Sequence, residues 1–494
     1  MMFIKTISTI IVLLLSIIWT GSSAKSEYHN TEGNIKDKTT ITVEPKETLY
    51  EINPELFGVC PMFWLEDDKA MEDGKIEQSL KDMKCRFLRF PGGTESDNFD
   101  WRTNELADKR RWPWKDGKDK MTTDKFIDLC RRIGAEPILC TNTEIAFFKN
   151  DSVAIELASE WVKYCNIEKG YNVKYWEIGN EPYYHSRFNA KEYAELLSKM
   201  SQAMKSVDPT IRIVAVGEWN PYYTGIKEEI EPKNIETAQE LELQSEMGKD
   251  GYAERFHKLR KCKTQLFWWQ EVMKTARGHI DAASIHWYYN LWELKDMTKT
   301  LNELYGIINP ENEDKQIELI ATEWSLHESV EMYGMERALT VGEAVFKMAD
   351  GHVKKTNYWP LRCGGIHDKK GLLDMTPEKN PHANLHVLKF ISQNIGDKKI
   401  YSDSTSDSIY HFATRRKKRI QIFVINRSGK RQNAEIKIKG KYDKGSVEAH
   451  AVSALNGIKD TDEVERMDIP AKNSERGIDI SVPAYSIAVC SFKI

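Results

Sequence analysis

The sequence has no C-x-x-C pair and no Cys/His spacing that would hold zinc, so its eight cysteines do not describe a zinc domain. It also has no excess of one charge. With 30% charged residues and a formal net charge of −4, it carries neither the basic footprint of a nucleic-acid binder nor an acidic tail. The basic run Arg415-Arg416-Lys417-Lys418-Arg419 reads as solvated charge at a strand edge. No Gly-rich phosphate loop follows the first strand-like run, which counts against an open doubly wound sheet. Low-complexity tracts and internal repeats are missing. The apolar run at 7–19 is short for a membrane span and is broken by Ser8, Thr9 and Ser16, so stable membrane insertion is not expected.

That run instead reads as an export signal. Lys5 precedes it and Ser22-Ser23-Ala24 supplies small residues for cleavage, so 1–24 is expected to be a signal peptide and the protein to be secreted or periplasmic. No cysteine follows the small residues, which leaves a lipoprotein anchor without support. An oxidising compartment permits disulfides. Cys130 and Cys165 are candidates for one, whereas Cys60, Cys85 and Cys140 lie on or beside predicted strands as small buried hydrophobes.

The 494 residues suit a barrel of about 250–350 residues plus a smaller unit. From about residue 49 to 397, short apolar runs alternate with longer helical patterns, the signature of βα units. Eight strands are expected, at 55–60, 86–90, 136–141, 173–179, 211–217, 282–287, 317–322 and 353–359. Amphipathic stretches such as 123–133, 154–166 and 190–207 lie between them. A (β/α)8 TIM barrel is the simplest architecture for that count. The fifth strand is followed by a long connection, about 220–280, holding Tyr222, Tyr223, Trp268 and Trp269, with the two tryptophans read as a packed helix face. Residues 398–494 change character to short strands between turn residues, the pattern of an all-β sandwich. The segment 25–48, with a strand near 39–43, is expected to join that sandwich.

Two carboxylates stand out. Glu181 ends the run Trp176-Glu177-Ile178-Gly179-Asn180-Glu181-Pro182 on the fourth expected strand, and Glu323 ends the seventh in Thr322-Glu323-Trp324. Active sites of (β/α)8 barrels sit at the C-terminal ends of the strands, and glycoside hydrolysis requires two carboxyl groups flanking one bond. Asn180 can hold a sugar hydroxyl. Arg89, at the end of the second strand, can hold Glu323 ionised, and Tyr288 on the sixth can donate to the same carboxylate. His286 is either a satisfied core histidine or a substrate contact. Glu177 reads as the balance for a buried base, while Glu144 and Glu218 rank below the leading pair. Among 14 tryptophans, Trp324 and Trp359 are the leading candidates for platforms under a sugar ring. Phe63, Trp64, Trp101, Trp112, Trp114, Tyr183 and Tyr184 are candidates for further subsites.

Trp176 to Pro182, Thr322-Glu323-Trp324 and Arg89-Phe90-Pro91-Gly92-Gly93 resemble clan A of the glycoside hydrolases. Within the clan, the chain is most similar to the family 51 α-L-arabinofuranosidases and the family 79 heparanase-like glucuronidases. The resemblance implies a barrel with a flanking β-sandwich and a retaining mechanism on carbohydrate, with Glu181 as acid/base, Glu323 as nucleophile and no cofactor. Two positions depart from family 51. Thr94 follows Gly-Gly where an Asn is usual, and the first strand, Leu56-Phe57-Gly58-Val59-Cys60, lacks a glutamate. An endo-β-glycanase, a β-glucuronidase-type hydrolase and a non-catalytic carbohydrate-binding protein stay open as alternatives.

Overall fold

Short runs of β-branched and aromatic residues between helical segments can bury both faces only when the strands lie parallel under a layer of helices. The computed structural model of this chain has that arrangement, and describes residues 38–107, 119–183, 188–219, 265–327, 329–363, 370–475 and 477–494. The expected signal peptide and Trp112, Trp114, Tyr184, Tyr222 and Tyr223 lie outside the described residues. Thr39–Ile494 forms one compact unit.

Eight parallel strands close into a barrel: Gly58–Val59, Phe87–Phe90, Glu136–Thr141, Tyr175–Ile178, Arg212–Glu218, Ala282–Tyr289, Glu318–Leu326 and Val353–Tyr358. The eighth closes on the first through Asn357 opposite Gly58 and Tyr358 opposite Val59. The first and seventh strands differ most from expectation. Asn53 caps a 3-10 turn at Pro54–Leu56, leaving only two residues for the first strand. The seventh runs on to Leu326, so Glu323 lies within it.

The barrel interior is filled. Phe87, Ile138, Tyr175, Val214, Ala282 and Ile320 form a separate apolar cluster from alternate strand positions. Below it the Lys355 ammonium lies 5.1 Å from the centre of the Tyr175 ring and pairs with Glu55 and Glu318.

The helices stop and start where side chains meet their end groups. Thr122 caps Thr123–Ile133, which ends at Gly134 in the left-handed region. Asn189 and Glu192 form a capping box on Ala190–Val207. The amphipathic stretch 154–166 begins earlier than its periodicity suggests, at Asp151 after the Asn150 cap, and continues past Val162 as a π turn to Glu168. In Gln265–Ala276, Trp268 and Trp269 are buried, their ring N–H groups donating to the carbonyls of Val216 and Glu218.

Of the remaining described strands, ten form one sheet, in which Thr39–Glu51 runs between Lys398–Ser404 and Gln432–Ile438, and four pair as two short ribbons, Phe99–Asp100 with Glu105–Leu106 and Arg362–Cys363 with Leu373–Asp374. Strand alternation gives the sheet two buried faces. Phe412, Phe423 and Ile425 join the main core, with Phe346 of a barrel helix stacked 4.3 Å from Phe412. Ile420, Ile422 and Val424 point the other way into a second core with Ile41, Ile436 and Cys490. The described cysteines are all free, Cys130 and Cys165 included. Among the described residues no helix is long and apolar enough to cross a membrane.

Candidate active site

The site begins with Arg89 on the second barrel strand, whose guanidinium is fully buried among groups from three other strands. Its Nε donates to Glu177 at 2.6 Å, Nη1 to the Gly92 carbonyl at 2.8 Å and to Glu323 at 3.1 Å, and Nη2 to Asn180 at 2.8 Å. Glu177 also accepts from Ser284 at 2.8 Å and Thr322 at 2.6 Å. Burial alone would raise the Glu177 carboxyl, but Arg89, His286 and these hydrogen bonds outweigh it and hold the group below its usual range. Glu177 is therefore an ionised anchor whose oxygens are already occupied.

Glu181 reaches the site by a sharp exit from the fourth strand. Gly179 is at φ +78°, and a Cβ there would come within 2.4 Å of the Thr143 hydroxyl. The Asn180 N–H donates to Asp97 at 3.0 Å. Glu181 itself sits at φ +46°, a left-handed conformation costing a non-glycine residue about 1–2 kcal/mol. Its carboxylate then lies 3.1 Å from His286 Nδ1 and accepts from the Tyr183 hydroxyl at 3.3 Å.

Glu323 depends on an irregularity in the seventh strand. The register against the sixth slips between Ala321 and Glu323. The extra residue lets Thr322 bond Glu177 while the adjacent Glu323 also faces inward to Arg89. Ordinary alternation would turn one of the two outward. On the sixth strand Ala282, Ser284, His286 and Tyr288 alternate inward, and the Tyr288 hydroxyl donates to Glu323. His286 Nδ1 lies 3.7 Å from Glu323 as well, while its Nε2 is buried without a hydrogen-bond partner.

These neighbours pull Glu323 in opposite directions. Burial and the opposing Glu181 raise its carboxyl, while His286, Arg89 and Tyr288 lower it, and the net shift is upward. Burial disfavours the charged form of His286, but Glu323 and Glu181 outweigh it and raise the imidazole. Burial, then the adjacent Glu323, pushes the Tyr288 phenol well above its usual range, so it stays a hydrogen-bond donor.

Six of the eight candidate residues thus come together: Glu181, Glu323, Arg89, Asn180, His286 and Tyr288. Trp359 is partly exposed, its ring tip so close to Gly93 that a Cβ there would lie 2.9 Å away. Trp324 is a correction. It follows Glu323 on the opposite face of the strand and is 1% exposed, packed edge-on against Tyr358 at 5.1 Å, so it offers no face to a sugar. Phe63 is likewise core, and Glu144 and Glu218 are buried. Thr322, Ser284 and Tyr183 join the network without a motif of their own; inward parity on strands already assigned was the available signal for Ser284.

One oxygen each from Glu181 and Glu323 and one nitrogen of His286 lie within 4.8 Å of one another, the spacing a metal ion would need. Two carboxyl groups this close, one facing Arg89 and Tyr288 and the other facing His286 and Tyr183, can divide nucleophile and proton-donor roles.

A family model described as the alpha-L-arabinofuranosidase 1 domain matches residues 79–261. Alpha-L-arabinofuranosidase C of Emericella nidulans is 26% identical over 226 residues, covering 37% of this chain and 43% of that protein. The chain thus aligns with less than half the length of that relative. The family 51 arabinofuranosidase of Xanthomonas axonopodis pv. citri shares the fold with a TM-score of 0.71 at 14% identity, over 92% of this chain and 100% of that one. A family 44 xyloglucanase of Paenibacillus polymyxa shares it at 0.62 and 14% identity, over 92% and 100%. The chain is thus similar to arabinofuranosidases over the matched residues and has the fold that family 51 and family 44 glycoside hydrolase structures share.

Proposed function

We propose that the protein is a retaining glycoside hydrolase of the α-L-arabinofuranosidase type, with Glu323 as nucleophile and Glu181 as acid/base. The observation that carries this reading is that one oxygen of Glu181 lies within 4.8 Å of one oxygen of Glu323. Retaining enzymes hold their carboxyl groups about 5–5.5 Å apart, whereas inverting ones leave about 6.5–9.5 Å for a water molecule.

In the first step Glu323 attacks the anomeric carbon while Glu181 gives its proton to the departing oxygen, leaving a glycosyl ester on Glu323. Water then attacks that ester, Glu181 takes the water's proton, and Glu323 leaves as carboxylate. Arg89 and Tyr288 favour the carboxylate at both ends of this cycle. Asn180 has its oxygen bound to Arg89, which turns its amide N–H groups toward other partners, a 2-hydroxyl among them.

A β-glycan reading is second. Thr94 and the glutamate-free first strand depart from the arabinofuranosidase pattern, and the barrel is shared with a xyloglucanase. Export of the enzyme, to act on polysaccharide outside the cytoplasm, belongs to the same proposal, from the signal-like residues 1–24. Incubation with aryl α-L-arabinofuranosides, aryl β-glucuronides and intact β-glycans separates the substrate readings. Glu323→Ala is expected to abolish the covalent intermediate seen by mass spectrometry. Glu181→Ala is expected to recover on substrates whose leaving groups need no proton. Wild-type turnover by Glu323→Ala would overturn the assignment.

A further inference from the structure

The chain leaving the fourth barrel strand is held by side chains from outside that strand. The Glu177 carbonyl accepts from the Thr141 hydroxyl at 3.0 Å, and the Ile178 carbonyl from the Tyr193 hydroxyl at 2.9 Å. Asn180 lies two residues beyond the strand's end at Ile178, past the last ladder position. Its N–H goes instead to Asp97, on the 3-10 turn Thr94–Asn98 that follows the second strand.

Asp97 is buried, and its Oδ1 accepts twice, from the Asn180 N–H at 3.0 Å and from the Thr143 hydroxyl at 3.2 Å. Thr143 is also the residue against which Gly179 packs. One oxygen thus fixes two contacts of the Gly179–Asn180 bend, immediately before Glu181 in its left-handed conformation. Strain of that kind persists only where the surroundings over-determine it. Without the acceptor, the N–H of buried Asn180 and the hydroxyl of buried Thr143 would each lose a partner, and the bend would relax to recover one. The same segment reaches the other carboxylate. The Gly92 carbonyl accepts from the Ser96 hydroxyl at 3.0 Å and from Arg89, which also holds Glu323.

We infer that Asp97 is a positioning residue for proton donation, keeping Gly179, Asn180 and Glu181 in the bend that brings the Glu181 carboxyl over to Glu323. It acts through the Asn180 N–H and through Thr143. The assignment rests on the retaining-hydrolase reading, with Glu181 as the proton donor. A displaced donor matters in proportion to the leaving group's need for a proton. Misplacement by about 1 Å costs up to roughly 100-fold in rate. Glu323 keeps its own holders, Arg89 and Tyr288, so its attack on a substrate with a self-sufficient leaving group is spared.

The test uses the full chain with aryl α-L-arabinofuranosides and aryl β-glucuronides whose phenols run from strongly to weakly acidic. Asp97→Ala and Asp97→Leu remove the acceptor, the second while filling its space; Asp97→Asn keeps an accepting oxygen. Thermal midpoints check folding, and Thr143→Val, which loosens the same clamp, stands in where neither acceptor-free variant folds. For the acceptor-free variants, kcat/KM is expected to fall roughly 100-fold on the least acidic phenol and only a few-fold on the most acidic, with Asp97→Asn between them and the parent. The same slope is expected of Thr143→Val. A uniform loss across the series, or no loss, would overturn the assignment. Amide exchange in the peptide spanning 179–183, followed by mass spectrometry, is expected to quicken about tenfold in the same variants as the bend loosens. Unchanged exchange there would also overturn it. If the unmutated chain cleaves neither series, the catalytic reading fails, and exchange alone decides whether Asp97 holds the bend.

Discussion

The Glu323 carboxylate is set by three neighbours acting against burial, and each can be removed in turn. Tyr288→Phe deletes one hydrogen bond to a charged group, worth about 1.5–3 kcal/mol, so kcat/KM is expected to fall roughly 10- to 100-fold. Because the carboxyl is raised, the acid limb of the kcat/KM profile should lie above that of an ordinary carboxylate. His286 lowers the Glu323 carboxyl, so His286→Gln removes that pull and should move the acid limb to higher pH. An unmoved limb would take His286 out of that role. Glu177 is a positioning residue. Removing one partner of a buried ion pair costs about 3–5 kcal/mol, so Glu177→Ala should lower the urea midpoint accordingly. The Glu177 carboxyl is depressed in the folded chain, so its contribution is complete above about pH 4.3, the unfolded value, and disappears as pH falls through the folded value.

At the scale of the element, the irregular stretches aim the chemistry while the regular ones hold it in place. The slip in the seventh strand turns Thr322 and Glu323 inward together, and the exit at Gly179 carries Glu181 back over the barrel. The turn after the second strand sets the Trp359 indole. Gly93→Ala would push against that ring, and is expected to raise KM several-fold with a smaller effect on kcat, as steady-state kinetics would report. Regular elements were legible in the sequence: 123–133 and 190–207 are helices with those limits, because their apolar periodicity and caps are local. Trp324 was not legible. A bulge is a property of pairing between two strands, so residue order along one of them does not reveal which face each side chain takes.

For the whole molecule, the sheet and barrel share a core. Phe346 packs on Phe412 and Phe423, and the Met335 and Glu336 N–H groups bond to the carbonyls of Thr461 and Lys459. Phe423→Ala should therefore cost about 3–5 kcal/mol and lower a single unfolding transition monitored by calorimetry. A separate, unshifted barrel transition would contradict that coupling.

The sequence by itself determined where the two glutamates stand in the order of strands, since each follows an apolar run of strand length, although only Glu181 has turn residues beside it and the seventh strand continues past Glu323. It also brought forward Arg89 and Tyr288 as partners of Glu323. Tertiary structure decided what those residues touch. Arg89 meets Glu177 across 88 positions of chain and Glu323 across 234, and such contacts exist only once the barrel closes and its register is set. Closure likewise turned Glu177 into the anchor beneath Arg89, joined Ser284 and Thr322 to it, and sent Trp324 into the core. Local physics chose the elements; long-range pairing chose their faces.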